Sequence, residues 1–321
     1  MSIIVFHNVL TFVSHFLIMP TMKRHIPIMV SEILTYIPEH AKLIVDGTFG
    51  HGGHTLAIIQ NSKFKIQSWE LALIGMEWDP RVIEHGKEYL QTELWIHDLK
   101  EIQWLTLNND SYTNIASYLQ HSQKADFVLL DLGINREHVT DNIRWFSIQG
   151  EWPLDMRFTP EVGRTAYELI KASSLDVMMT WFKTYADFSE KRAHTIAMVL
   201  SNNKSNPKLN STLWLIELLK EIKIHKNELA PLFQAIRIAV NHEFENITTF
   251  IDSLDSILAP WWRCAIMTFH SIEDRIIKHH FKRLSEINYT ILTKHVITPH
   301  YTEVQHNKAS RSAKLRVIER K

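Results

Sequence analysis

Three acidic residues each close a short apolar run. Asp46 follows Leu43-Ile44-Val45, Glu77 follows residues 71–76, and Asp131 follows residues 125–130. Apolar runs of this length read as buried strands, and ligands of open α/β sheets sit beyond the carboxyl ends of such strands. The three carboxylates therefore face one crevice. Between the first strand and the helix that begins near Thr55 lies the loop Asp46-Gly47-Thr48-Phe49-Gly50-His51-Gly52-Gly53-His54. Gly50, Gly52 and Gly53 have no Cβ, so backbone N–H groups can come close to a ligand there. Glu77 lies 24 residues beyond Gly53, near the separation at which an acid accepts hydrogen bonds from ribose hydroxyls. A nicotinamide dinucleotide would use the same crevice. Its fingerprint, however, is Gly-x-Gly-x-x-Gly, and Asp46 would repel a pyrophosphate. A carboxylate there suits the methionine ammonium of S-adenosylmethionine, so a Rossmann-like methyltransferase loop is expected. The bland readings are a glycine turn that binds nothing and a solvated Glu at a strand end.

These side chains need a sheet to hold them. Further strands are expected over 94–96, 264–269, 289–297 and 314–318, with helices over 272–284 and from Pro80 to about Leu90. Strands alternating with helices imply a parallel sheet with crossovers. Residues 136–228 break the pattern: β-branched runs are nearly absent, and helices are expected over 165–171, 175–185, 189–200 and 212–222. One continuous helix is expected over 233–244. The expected organisation is a methyltransferase domain of 25–135 and 229–321, an inserted helical domain of 136–228, and an N-terminal extension of 1–24.

Composition bounds the rest. The chain has 321 residues, 45% hydrophobic and 22% charged, which is globular and not disordered. Net charge is zero, against the strong excess of Lys and Arg that nonspecific nucleic-acid coating requires. Cys264 is the single cysteine, so no intrachain disulfide and no cysteine metal cluster is expected, in keeping with a reducing cytoplasm. Residues 1–19 are largely apolar but lack the basic start of a signal peptide. His7, Asn8, Ser14 and His15 interrupt the run, so no membrane span is expected. An appended segment, or a start codon ahead of Met22, is the expectation.

Several collinear stretches carry a resemblance: His25-Ile-Pro-Ile-Met29, Asp46 to His54, Leu129-Leu-Asp-Leu-Gly133, Pro153-Leu-Asp-Met-Arg157, Phe233-Gln-Ala-Ile-Arg-Ile-Ala-Val-Asn241, Phe269-His-Ser-Ile-Glu-Asp-Arg275 and Arg311-Ser-Ala-Lys-Leu-Arg316. Over residues from about 25 to 321 the chain resembles the MraW family of ribosomal RNA small-subunit methyltransferases. The resemblance implies a class I methyltransferase sheet with an inserted helical domain, S-adenosyl-L-methionine as cofactor, no metal, and N4-methylation of a cytidine in 16S rRNA of the small ribosomal subunit. By position, its cofactor contacts fall on Gly52, Gly53, His54, Glu77, Lys100, Asp131 and His138. Glu77 replaces an Asp, Lys100 stands where an aromatic is common, and His138 where Gln is frequent. Oligomeric state stays open. An amino methyltransferase on another nucleic acid, and a cofactor-binding assembly factor without turnover, are the alternatives.

A cytosine amine is a weak nucleophile, because its lone pair is delocalised into the ring. An acceptor for its hydrogen bond helps as charge develops on nitrogen. Asp131 is the candidate for this role, against one limited to positioning the cofactor. His270 is the candidate for assisting proton removal, against a structural role. Asp155 and Arg157 read either as a substrate wall or as an ion pair. Lys278, Lys282 and their basic neighbours on the 272–284 helix, together with the basic tail, could meet the RNA backbone.

Nine glycines against ten tryptophans is an odd balance. Trp145, Trp152, Trp261 and Trp262 stand where the family pattern has glycine. Either they are genuine, or the source reads UGA as glycine and these positions are glycines in the native protein.

Overall fold

The computed structural model describes residues 26–61, 71–99, 102–120, 123–133 and 151–321. Seven strands form one sheet: β1 (Leu43–Asp46), β2 (Ala72–Met76), β3 (Leu105–Asn108), β4 (Ala125–Asp131), β5 (Leu258–Thr268), β6 (Tyr289–Ile291) and β7 (Lys314–Arg320). They hydrogen-bond in the order β3-β2-β1-β4-β5-β7-β6. Strands β1 to β5 run parallel; β7 is antiparallel to both its neighbours. This is the Rossmann-like class I methyltransferase sheet that the resemblance implied. Every residue of β1 is buried, as a central parallel strand covered on both faces requires.

Twelve α-helices are described: α1 (Val30–Tyr36), α2 (Gly53–Gln60), α3 (Pro80–Leu94), α4 (Ile115–Tyr118), α5 (Ala166–Ala172), α6 (Leu175–Thr184), α7 (Glu190–Asn203), α8 (Thr212–Lys220), α9 (Lys226–Asn241), α10 (Glu243–Ile257), α11 (Ser271–Ser285) and α12 (Tyr301–His306). Helices α4, α10 and α11 cover one face of the sheet with Ile115, Phe250, Leu254 and Phe281. Ile33, Ile37 and Ile58 of α1 and α2 cover the other. Helices α5 to α9 pack on one another around Phe182, Ile196, Leu200, Leu215 and Phe233, in a cluster of their own. Helix α9 belongs to both: Ile236 and Ala239 face the helical cluster, and Ile238 joins the sheet core. Asn241 at its end accepts from the Phe158 N–H at 2.9 Å and donates to the Met156 carbonyl at 2.8 Å. That amide bridges α9 to the segment around Pro153-Leu-Asp-Met-Arg157.

The third strand is not at 94–96. Leu94 is the last residue of α3, and Trp95 follows in the left-handed region at φ 57°, 89% exposed. Leu94 stands four residues after Leu90, on the same helix face, and both pack against Phe49 and Ile83. The true β3 is an edge strand with no fully buried residue, so its apolar pattern is faint. The helix expected over 233–244 is also two helices. His242 adopts φ 52° and separates α9 from α10; the break is hidden because the apolar spacing runs on across it. The strand expected over 289–297 ends at Ile291, and Ile297 returns only as an isolated bridge to Leu315.

Candidate active site

The chain runs outward from β1 to β2 and β3, then returns to β4 on the other side of β1. The carboxyl ends of β1 and β4 thus flank the point where strand order reverses, which is where open α/β sheets hold ligands. Asp46 pairs in register with Leu129, so Asp131 reaches two residues further along. A crevice of about 1130 Å³ opens there.

Asp46 is 1% exposed. The Thr55 hydroxyl donates to its Oδ2 at 2.8 Å, and the Thr48 N–H to its Oδ1 at 3.4 Å. Burial pushes its carboxyl above the usual range, against the opposing pull of His54. The loop then turns through Gly50 at φ 54° and Gly52 at φ 76°, where a side chain would be strained. Gly52 precedes the first residue of α2 and lies buried under the loop, with Phe49 against it. Gly53 and His54 line the crevice. His54 Nε2 lies 2.9 Å from the Ile28 carbonyl oxygen, an acceptor that fixes the proton on this nitrogen. Nδ1 is left facing Asp131 Oδ2 at 3.7 Å.

Glu77 reaches back to the loop. Its Oε2 accepts from the Gly50 N–H at 3.1 Å, and its Oε1 from the Asp79 N–H at 2.9 Å. Asp79 in turn caps α3, accepting from the Arg81 N–H at 3.0 Å, with Pro80 at the first helical position. The Glu77 carboxylate is therefore held by the backbone on both sides.

The Asp131 backbone N–H donates to the Thr48 hydroxyl at 2.6 Å. Its Oδ1 is buried and has no hydrogen-bond partner among the described residues, an arrangement that costs free energy unless a further group completes it. Burial pushes its carboxyl up to about 6, with added repulsion from Asp46 and Glu273 and an opposing effect of His54. His270 N-caps α11: its Nδ1 accepts from the Glu273 N–H at 3.4 Å, and its Nε2 lies 2.8 Å from Glu273 Oε1. Glu273 is 2% exposed and also accepts from the Phe269 N–H at 3.0 Å. Burial alone would raise its carboxyl, but the His270 ring, the Phe269 N–H and the Arg237 guanidinium hold it below the usual range. Beside it, Arg237 and Glu243 form a buried bidentate pair at 2.7 and 2.9 Å.

The crevice thus gathers Gly53, His54, Glu77, Asp131 and His270. Lys100, His138 and Trp145 lie outside the described residues, as does the whole N-terminal extension of 1–24. Asp155 and Arg157 form a bidentate ion pair at 2.7 and 2.8 Å and do not line the crevice. An aromatic wall escaped the sequence reading. Trp78 packs on Phe158 at 5.0 Å and on Tyr112 at 6.4 Å, ring centre to ring centre, and all three line the crevice beside Asp110. The Asp110 carboxylate is fixed by the Ser111 N–H, the Asn114 amide and the Tyr118 hydroxyl at 2.7 to 2.9 Å. Two signals were available: Trp78 directly follows Glu77, and the polar turn 108–111 follows Leu107. Placing the third strand at 94–96 hid both.

The family model described as the MraW methylase family matches residues 22–321. Ribosomal RNA small subunit methyltransferase H of Elusimicrobium minutum is 32% identical over 303 residues, covering 92% of this chain and 98% of that protein. The protein of the same name from Thermotoga neapolitana is 34% identical over 307 residues, covering 92% and 95%. That from Petrotoga mobilis is 34% identical over 304 residues, covering 91% and 99%.

Proposed function

Since the chain belongs to the MraW methylase family, we propose that this methyltransferase transfers a methyl group from S-adenosylmethionine to N4 of a cytidine in 16S rRNA of the small ribosomal subunit, in the cytoplasm. The observation that carries the reading is Asp131. Its carboxylate stands at the strand-order reversal, with one oxygen buried and unpartnered among the described residues, beside a glycine loop and a second acid.

The residues present fit the cofactor. The N–H groups of the loop suit the carboxylate of an amino-acid moiety, whereas Asp46, expected to face the crevice, is buried behind the loop and tied to Thr55 and Thr48. Glu77 suits vicinal ribose hydroxyls. The flat wall of Trp78, Tyr112 and Phe158, with Asp110 at its edge, suits a purine with an exocyclic amine. Lys100 and His138 remain part of the proposed contact set by position. When bound, the group supplies a methyl on a sulfonium, which is a good leaving group.

The protein's own part is alignment and proton handling. A target base must leave its stack to enter so deep a crevice. Asp131 accepts a hydrogen bond from the entering amine, so that the nitrogen lone pair is freed from the ring as positive charge grows. After transfer, the surplus proton on nitrogen passes to Asp131. His270, with both ring nitrogens engaged by Glu273, is the proposed residue that orients the base beside Asp131.

The test is transfer of a tritiated methyl group from the cofactor to small ribosomal subunits lacking the modification. Label recovered as N4-methylcytidine supports the reading. Cofactor binding by calorimetry with no transfer would leave a non-catalytic assembly factor, and label on another nucleic acid would leave the broader amino methyltransferase.

A further inference from the structure

The chain carries 35 basic and 35 acidic residues, so a patch of one sign has to be made by placement. One exists beside α11. A groove of about 200 Å³ lies between this helix and the β6–β7 pair, lined by Lys278, Lys282, Lys294 and Arg316 above Phe281 and Ile291. No acid lines it. Asp274, which accepts from Arg316 at 2.7 Å, is also held by Lys314 at 3.4 Å. Among the described residues, no carboxylate pairs with Lys278, Lys282 or Lys294.

The other basic residues nearby are already engaged. Arg275 pairs with Asp187, Arg283 with Asp252 and Arg320 with Asp255. The groove cations are the ones left over. Asp274, Lys278 and Lys282 recur every four residues, so they share one face of α11 about 6 Å apart along the axis. The same helix starts at the crevice: His270 caps it and Glu273 lies in its first turn. A cationic track therefore leads away from the catalytic end of α11. Its floor residue Phe281 is 1% exposed and Ile291 is half-buried, so the groove presents its cations ahead of its apolar floor.

We propose that this groove binds the phosphodiester backbone of the rRNA strand that flanks the target cytidine. Lys278, Lys282 and Lys294 act as free phosphate contacts, with Arg316 fixed behind them by Asp274. The proposal rests on the rRNA reading above, and its test does not need turnover. Binding of purified small ribosomal subunits is measured by co-sedimentation across a salt series for the wild-type protein and for the triple variant Lys278→Ala/Lys282→Ala/Lys294→Ala. All three positions are exposed, so the fold should survive, and an unchanged thermal transition checks this. The expected result is a loss of affinity of about tenfold or more at moderate salt, with the slope of log affinity against log salt reduced by roughly 2. The paired residues Arg275 and Arg283, changed to Ala, should alter the slope by less than 1. Unchanged affinity and slope in the triple variant would overturn the groove, whatever the methyl-transfer assay gives. Lost binding to phosphatidylserine vesicles with unchanged subunit binding would overturn it in favour of a membrane contact. Failure of the wild type to transfer methyl, with this salt behaviour intact, would instead strike the proposed activity.

Discussion

At the scale of single residues, Asp131 carries the chemistry. Its carboxyl is raised to about 6, so it is ionised above that pH and protonated below it. A base must be ionised to accept a proton; the rate should therefore climb with pH and level off above about 6. A single-turnover pH profile measures this, and a rate flat from pH 5 to 8 would count against the role. Asp131→Asn keeps the shape and removes the base. Transfer should fall by about 100-fold or more while the cofactor still binds; lost cofactor affinity with an unchanged rate would assign Asp131 to positioning alone. Trp261 is the other telling residue. It sits at φ 71° and is 72% exposed, so a bulky side chain is held in a glycine-like backbone with little to pack against. Trp152 and Trp262 are half-buried and do not share that conformation. In protein made with tryptophan, Trp261→Gly should stabilise by about 1 kcal/mol, less the entropy glycine adds to the unfolded chain. Thermal denaturation reads the effect. The intact mass of the native protein decides whether the residue is tryptophan at all.

At the scale of elements, the parts most legible in sequence were those punctuated by glycine and acid. The β1 strand, its loop and α2 stand out because a fully buried strand gives an unbroken apolar run, and the turn needs glycine at two left-handed positions. Glu77 and Asp131 stand out because a carboxylate abruptly ends such a run. The edge strand β3 had no such mark, since none of its four residues is fully buried. The buried role of Glu273 was equally hidden: an acid in the first turn of a helix is ordinarily a solvated partner of the helix dipole, and only the packing of α9 and α10 above α11 encloses it. One element-scale prediction concerns α3, which Asp79 caps directly behind Glu77. Asp79→Ala should destabilise the fold by about 1 kcal/mol. It should also weaken cofactor binding modestly, since losing the cap loosens the turn whose backbone N–H at 79, kept in the variant, positions the Glu77 carboxylate. Urea denaturation and calorimetry measure the two effects separately.

At the scale of the molecule, two apolar clusters meet along α9. The Arg237–Glu243 pair spans the break between α9 and α10, with both side chains about nine-tenths buried. Arg237 and Glu243 both line the crevice, so this junction forms part of its wall. Removing one partner leaves a buried charge alone: Arg237→Ala should cost about 3–5 kcal/mol, read by urea denaturation. Replacing both residues with apolar ones of similar size should recover much of that loss. No described helix is long and apolar enough to cross a membrane.

The central claim is that this crevice methylates a cytosine amine of the small-subunit rRNA. The most direct measurement digests 16S rRNA, after reaction with tritiated cofactor on small subunits lacking the modification, and identifies the labelled nucleoside. The account predicts label in N4-methylcytidine, at one site, abolished by Asp131→Asn. Label in any other nucleoside, or none while the cofactor binds, would contradict it.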